Sequence, residues 1–178
     1  MSLAHAILGL LQEEERTGYD LKTSCFDQCI FHLWPADQAQ IYRTLDKLEE
    51  QEWITCRVEI QQNRPNRKVY SVTESGKAEL TRWLQSYQPL PIVRDPLLVQ
   101  VYFAAQLPNE VMLHLLEQQL VARHKKLAEC ESIELPQLGD TAASREQIMQ
   151  RLVLELVIRK EQIYIDWLKT AIDVIHHQ

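Results

Sequence analysis

Five long polar side chains, Gln38, Gln40, Tyr42, Arg43 and Lys47, lie within ten residues and are interleaved with Ile41, Leu45 and Leu48 at i, i+4 and i+7. That spacing puts the apolar residues on one helical face and frees the other. Amides and guanidinium groups match the donor and acceptor pattern of base edges, whereas tyrosine, arginine and lysine reach phosphate oxygens. Gln38 and Gln40, near the helix start, are expected to read bases, and Tyr42 and Arg43 to touch the backbone. A second cluster follows at Arg64, Asn66, Arg67 and Lys68. From Arg57 to Lys77 there are five basic residues (Arg57, Arg64, Arg67, Lys68, Lys77) against two acidic ones (Glu59, Glu74), in a chain of formal charge −6. The positive charge is local, which argues against indiscriminate nucleic-acid binding and for one contact surface on double-stranded DNA. The plainer alternative is a solvated helix face and a solubilising loop tip.

Other chemistries find little support. Cys25, Cys29 and His32 fall at i, i+4 and i+7, so one helix face could offer metal ligands, but no fourth ligand is evident and no metal site or other cofactor is expected. A metal-responsive sensor resting on these three residues is one alternative. A protein-interaction module that does not touch DNA, suggested by the net acidity, is another. No nucleophile motif, phosphate loop or zinc-protease pattern is present, so no catalytic residue is assigned. The four cysteines show no framework spacing and no secretory signal precedes the first helix, so a cytoplasmic protein is expected. No apolar run approaches the roughly 18 residues of a spanning helix, and no membrane partner is expected.

The elements that must position the polar cluster can be read from periodicity. Ser2 can cap a helix carrying Leu3, Ala6, Ile7, Leu10 and Leu11. Thr17-Gly18 then breaks the chain before a second helix from Tyr19 to about Phe31. Pro35 stops that helix, and Asp37 is placed to cap a third one reaching Gln51. Thr55 to Gln61 alternates, with Cys56, Val58 and Ile60 against Thr55, Arg57 and Glu59, as a half-buried strand does, and Val69 to Val72 supplies its partner. The tip between them, Gln62 to Lys68, is long and basic. A polar-fronted helix followed by a basic-tipped hairpin makes a DNA-reading unit of winged-helix type. Thr73 caps a further helix through Leu80, Trp83 and Leu84.

Beyond Ser86, Pro89, Pro91 and Pro96 stiffen a linker. Helices then run from Pro96 to Gln106, from Asn109 to about Glu134, and from Ser144 to Ile175. The last carries Ile148, Leu152, Leu156, Ile163, Trp167, Ala171 and Val174, flanked by further apolar residues. Two helices cannot bury so wide a band by themselves, so a homodimer is expected, with Ile163, Tyr164, Trp167 and Leu168 at its interface; the plainer alternative is packing wholly inside one subunit against the Asn109 to Glu134 helix. The chain thus reads as mainly α with a small β-hairpin, a winged helix-turn-helix domain over 1–86, a linker over 87–95 and an α-helical dimerisation domain over 96–178.

The first 85 or so residues resemble the winged-helix domain of the PadR family of bacterial transcriptional regulators. The resemblance rests on Thr17-Gly18-Tyr19-Asp20-Leu21, on Trp34-Pro35, on Gln40-Ile41-Tyr42-Arg43-Thr44-Leu45 with Leu48-Glu49, and on Tyr70-Ser71-Val72-Thr73-Glu74-Ser75-Gly76-Lys77. It implies a dimeric repressor that occludes an inverted-repeat operator. A small aromatic effector is a further expectation, motivated by Trp34, Trp83, Tyr87 and Tyr102. The chain departs from the family pattern at Glu52, where a glycine in the left-handed conformation is usual.

Overall fold

The computed structural model of the chain describes residues 2–60 and 66–178, the side chain of Ser2 excepted. The chain divides into two compact units, Met1–Pro89 and Leu90–Gln178. The first contains helix α1 (Ser2–Glu13), strand β1 (Arg16–Thr17), helix α2 (Gly18–Asp20), which continues as a π-helix over Leu21–Cys29, helix α3 (Gln38–Glu50), strands β2 (Ile54–Glu59) and β3 (Arg67–Val72), and helix α4 (Glu74–Leu84). The cap expected from Ser2 falls outside the described side chains. Ile7, Leu8 and Leu11 of α1 pack with Leu21 and Phe26, with Ile41, Leu45 and Leu48 of α3, and with Tyr70 and Leu80. Removal of such side chains from water is the main force holding α3 in place, at about 1.5–3 kcal/mol each.

The second helix ends at Cys29 rather than Phe31 and is wider than an α-helix, with the Ile30 N–H donating to the Cys25 carbonyl at 2.9 Å. Thr23 returns its hydroxyl to the Tyr19 carbonyl at 3.0 Å, a back-bond that bends helices. The hairpin acquires a third, antiparallel strand in the order β1-β3-β2, with Thr17 opposite Val69 and the β2–β3 ladder running from Ile54↔Val72 to Glu59↔Arg67. A two-residue strand is too short to show alternation, so sequence reasoning missed it. The expected inward face of β2 also fails: Val58 and Ile60 are exposed, because the outer half of the hairpin runs past the core.

The second unit contains α5 (Pro96–Phe103), a 3₁₀ turn (Ala104–Gln106), α6 (Asn109–Glu131) and α7 (Arg145–His176). Asp95 caps α5 by accepting the Leu97 N–H at 2.9 Å. Ser144 and Gln147 close a reciprocal capping box on α7 at 3.1 and 2.9 Å. Helices α6 and α7 run antiparallel, with Asn109 near Ile175 and Arg123 bonded to Glu161. Leu97, Met112, Leu116 and Leu168 form the core of this unit.

Candidate nucleic-acid interface

Helix α3 begins with a capping box at Asp37. Its Oδ1 accepts the Gln40 N–H at 2.7 Å, while Gln40 Oε1 accepts the Asp37 N–H at 3.2 Å. The amide oxygen of Gln40 therefore serves the helix start, and its NH₂ group is the donor left for a ligand. Gln38, Arg43 and Lys47 are exposed. Arg43 lies along the helix with Nε donating to the Ala39 carbonyl at 3.2 Å. Neither Arg43 nor Lys47 forms an ion pair among the described residues, so their charge faces solvent unneutralised. An open groove lined by Trp34, Pro35, Gln40, Arg43, Thr44 and Lys47 runs along this face.

Tyr42 differs from its expected place on the free face. It is half-buried, and its ring lies where a Cβ on Gly18 would stand, 2.6 Å from Cε1. Only glycine lets the backbone come so close. The turn holding Gly18 is itself capped: Thr17 Oγ1 accepts the Asp20 N–H at 3.0 Å, and Asp20 Oδ2 accepts the Thr17 N–H at 3.2 Å and the Thr17 hydroxyl at 2.7 Å. Burial pushes the Asp20 carboxyl upward, but these two bonds from Thr17, with Arg67 and Arg16 nearby, outweigh it and hold the group below its ordinary value.

Of the wing residues, Arg64 lies outside the described residues. Asn66 is exposed just before β3, at the loop end of the hairpin, and Arg67 and Lys68 open β3 rather than belonging to a loop. Arg67 Nη2 donates to Asp20 Oδ2 at 3.2 Å. Lys68 is exposed and forms no ion pair among the described residues. Arg57 is occupied by Glu15 and Glu59, so it adds little to the basic surface. The pattern Thr17-x-x-Asp20 is a readable capping box, but nothing in the sequence ties Asp20 to Arg67, 47 residues away.

Cys25, Cys29 and His32 do not assemble into a site. Cys25 is buried in the core, and Cys29 Sγ donates to the Ser24 carbonyl at 3.1 Å. Burial lowers the basicity of His32. Among the described residues no cluster of three or more His, Cys, Asp or Glu is placed to hold a metal ion.

In the second unit, Leu168 is fully buried in that unit's own core and has no surface to offer a partner, because α6 covers its side of α7. The face that α7 turns inward carries Leu154, Glu161, Ile165 and Leu168, whereas Leu152, Leu156 and Ile163 of the expected stripe remain exposed, Ile163 by 69%. Tyr164 and Trp167 are half-buried, their rings edge-to-face at 5.7 Å. Arg123 lies 3.7 Å above the Tyr164 ring.

Comparison with known proteins places this geometry. Residues 7–82 match the transcriptional regulator PadR-like family, and residues 93–176 match the family described as virulence activator alpha C-term. The chain is 35% identical to the negative transcriptional regulator PadR of Bacillus subtilis over 97% of each chain. The chain belongs to the PadR family of transcriptional regulators. Two solved structures of Bacillus subtilis PadR share the fold. The complex with operator DNA has a TM-score of 0.81 at 34% identity, covering 98% of this chain and 99% of that one. The complex with p-coumaric acid has a TM-score of 0.78 at 32% identity, covering 99% of each. Among the described residues no helix is long and apolar enough to cross a membrane.

The PadR-family motifs acquire physical reasons in this chain. Gly18 admits the Tyr42 ring. Gly76 admits the Trp53 carbonyl, which would lie 2.0 Å from a Cβ. At the departure from the PadR pattern, Glu52 takes the left-handed conformation itself, with φ 57°. The Glu52 N–H donates to the Glu49 carbonyl at 2.9 Å and the Trp53 N–H to the Leu48 carbonyl at 3.0 Å, a Schellman ending to α3.

Proposed function

We propose that this PadR-family regulator binds an inverted-repeat operator as a homodimer and represses transcription by covering the promoter. The exposed face of α3 would enter the major groove. Gln38 and the NH₂ group of Gln40 would read base edges, while Tyr42, Arg43 and Lys47 would bind phosphates. Asn66, Arg67 and Lys68, with Arg64, would track the adjacent backbone. The observation that carries this reading is the unneutralised charge of Arg43, Lys47 and Lys68 on an otherwise acidic chain. Support also comes from the operator complex of the Bacillus subtilis relative, and from that relative's description as a negative regulator. The two-fold partner would dock on the exposed stripe of α7, with Ile163, Tyr164 and Trp167 among its contacts. We assign the protein to the cytoplasm, where such DNA lies, and assign it no catalytic role. A small aromatic acid is the proposed effector, by analogy with the relative solved with p-coumaric acid.

The test is a binding titration on a duplex carrying the inverted repeat beside the protein's own gene, over a range of salt. Arg43→Ala, Lys68→Ala and Tyr42→Phe, the last keeping the ring on Gly18, should each weaken binding, and each lost cation should flatten the salt slope by about 0.9. Gln38→Ala should relax base preference by about 1–3 kcal/mol. Wild-type affinity and salt slope in all four folded variants would refute the assignment. Release of the duplex by p-coumaric acid in the same titration would support the effector, and its absence would remove that compound.

A further inference from the structure

Arg67, at the start of β3, is paired with an acid, and that acid is unusually well fixed. Asp20 is held by two hydrogen bonds from Thr17 onto the same Oδ2 that takes Arg67. Thr17 is in turn anchored in the sheet opposite Val69, two residues from Arg67. The anion is therefore rigid, and the cation is a long side chain on the first residue of β3. Both remain partly open to solvent, with 46% of the Arg67 side chain and 38% of the Asp20 side chain accessible. An ion pair this exposed is weak enough to be exchanged. A DNA phosphate has the same charge and the same acceptor oxygens as the carboxylate, and a guanidinium fork serves either.

We propose that Asp20 is an internal competitor for the phosphate that Arg67 binds, a built-in brake on DNA affinity. The proposal rests on the reading of Arg67 as a backbone contact. In the free protein Arg67 sits on Asp20; on DNA it must leave, and Asp20 is then left facing the duplex unpaired. Every complex that engages Arg67, on operator or on other DNA, carries this cost. The brake acts on affinity while base choice stays with α3.

Asp20→Asn removes the charge and keeps an acceptor oxygen for the Thr17 N–H. Asp20→Ser, which retains a short acceptor, is the second variant should the first lose its fold. Each is titrated against the inverted-repeat duplex and a shuffled duplex, in the wild-type background and with Arg67→Ala. The expected result is binding about two- to fivefold tighter on both duplexes, the range of an exposed ion pair, with the gain abolished when Arg67 is alanine. No gain, or weaker binding, overturns the proposal. An equal gain in both backgrounds also overturns it, since the effect would then be general charge. If Arg67→Ala alone leaves operator binding unchanged, the reading of Arg67 fails, and the inference with it. Failure of the wild type to bind the inverted repeat at all would instead sink the functional reading.

Discussion

Replacing Glu52 by glycine should stabilise the protein. Glu52 is the one non-glycine residue with positive φ among the described residues, at 57°. For an L-residue the left-handed region costs about 1–2 kcal/mol, because Cβ crowds the following carbonyl. Glycine removes that cost but loosens the unfolded chain, giving back about 0.5–1 kcal/mol. The net expectation is a gain of about 0.75 kcal/mol, within limits of about 0 to 1.5 kcal/mol. Little else should change: the Glu52 side chain is exposed, and its useful contacts are made by its backbone. The Glu52 carbonyl accepts the Thr73 hydroxyl at 2.8 Å and the Ser75 hydroxyl at 2.7 Å, and glycine keeps both bonds. The assay is denaturant unfolding at one fixed protein concentration, since association itself adds stability. Glu52→Gln is the control, removing the charge while keeping Cβ, and should match wild type. A glycine variant no more stable than wild type, or a glutamine variant that gains as much, would refute the reasoning.

Two further outcomes follow from the second unit. Glu161, with only 4% of its side chain accessible, binds Arg123 at 2.9 Å and Lys126 at 2.6 Å. Glu161→Gln should cost about 1–3 kcal/mol, less than a fully buried pair because both cations reach solvent; an unchanged unfolding midpoint would contradict this. The Tyr164 hydroxyl donates to Asp95, and burial together with that bond pushes the phenol up to about 12. The same bond holds the Asp95 carboxyl below its ordinary value. A raised phenol stabilises the fold fully below its unfolded value of about 10, and this is lost as pH rises toward the folded one. A depressed carboxyl stabilises it above about 4 and loses this as pH falls. Tyr164→Phe should remove this phenol's contribution from the alkaline flank of a stability–pH profile and shrink the contribution of Asp95 to the acid flank, where the Leu97 N–H and Arg123 still hold the carboxyl down; a profile parallel to wild type would rule the linkage out.

Much of the fold is readable in the sequence because it is local. Asp37 caps α3, Ser144 caps α7, Thr73 caps α4, and Ile41, Leu45 and Leu48 face the core, all within a few residues of the pattern that signals them. The polar face of α3 is legible for the same reason, since removing Ile41, Leu45 and Leu48 to the core leaves Gln38, Arg43 and Lys47 outside. Glu52 shows the same principle, because the Schellman ending needs a left-handed residue whatever its side chain.

What the tertiary structure decides are choices between partners far apart in the chain. The apolar band of α7 is wide enough to pack in more than one orientation, and only the position of α6 settles that Leu168 and Leu154 turn inward while Ile163, Leu156 and Leu152 stay out. Strand β1 exists because β3 offers it an edge, and two residues carry no periodicity to announce it. Tyr42 looks free on a helical wheel and is half-buried because Gly18 makes room for its ring. Arg67 reads as an unpaired cation in a basic tip until the fold brings Asp20 beside it. Periodicity and capping are set by neighbours within a few residues, whereas the choice of a buried face or a charge partner depends on where distant segments come to rest.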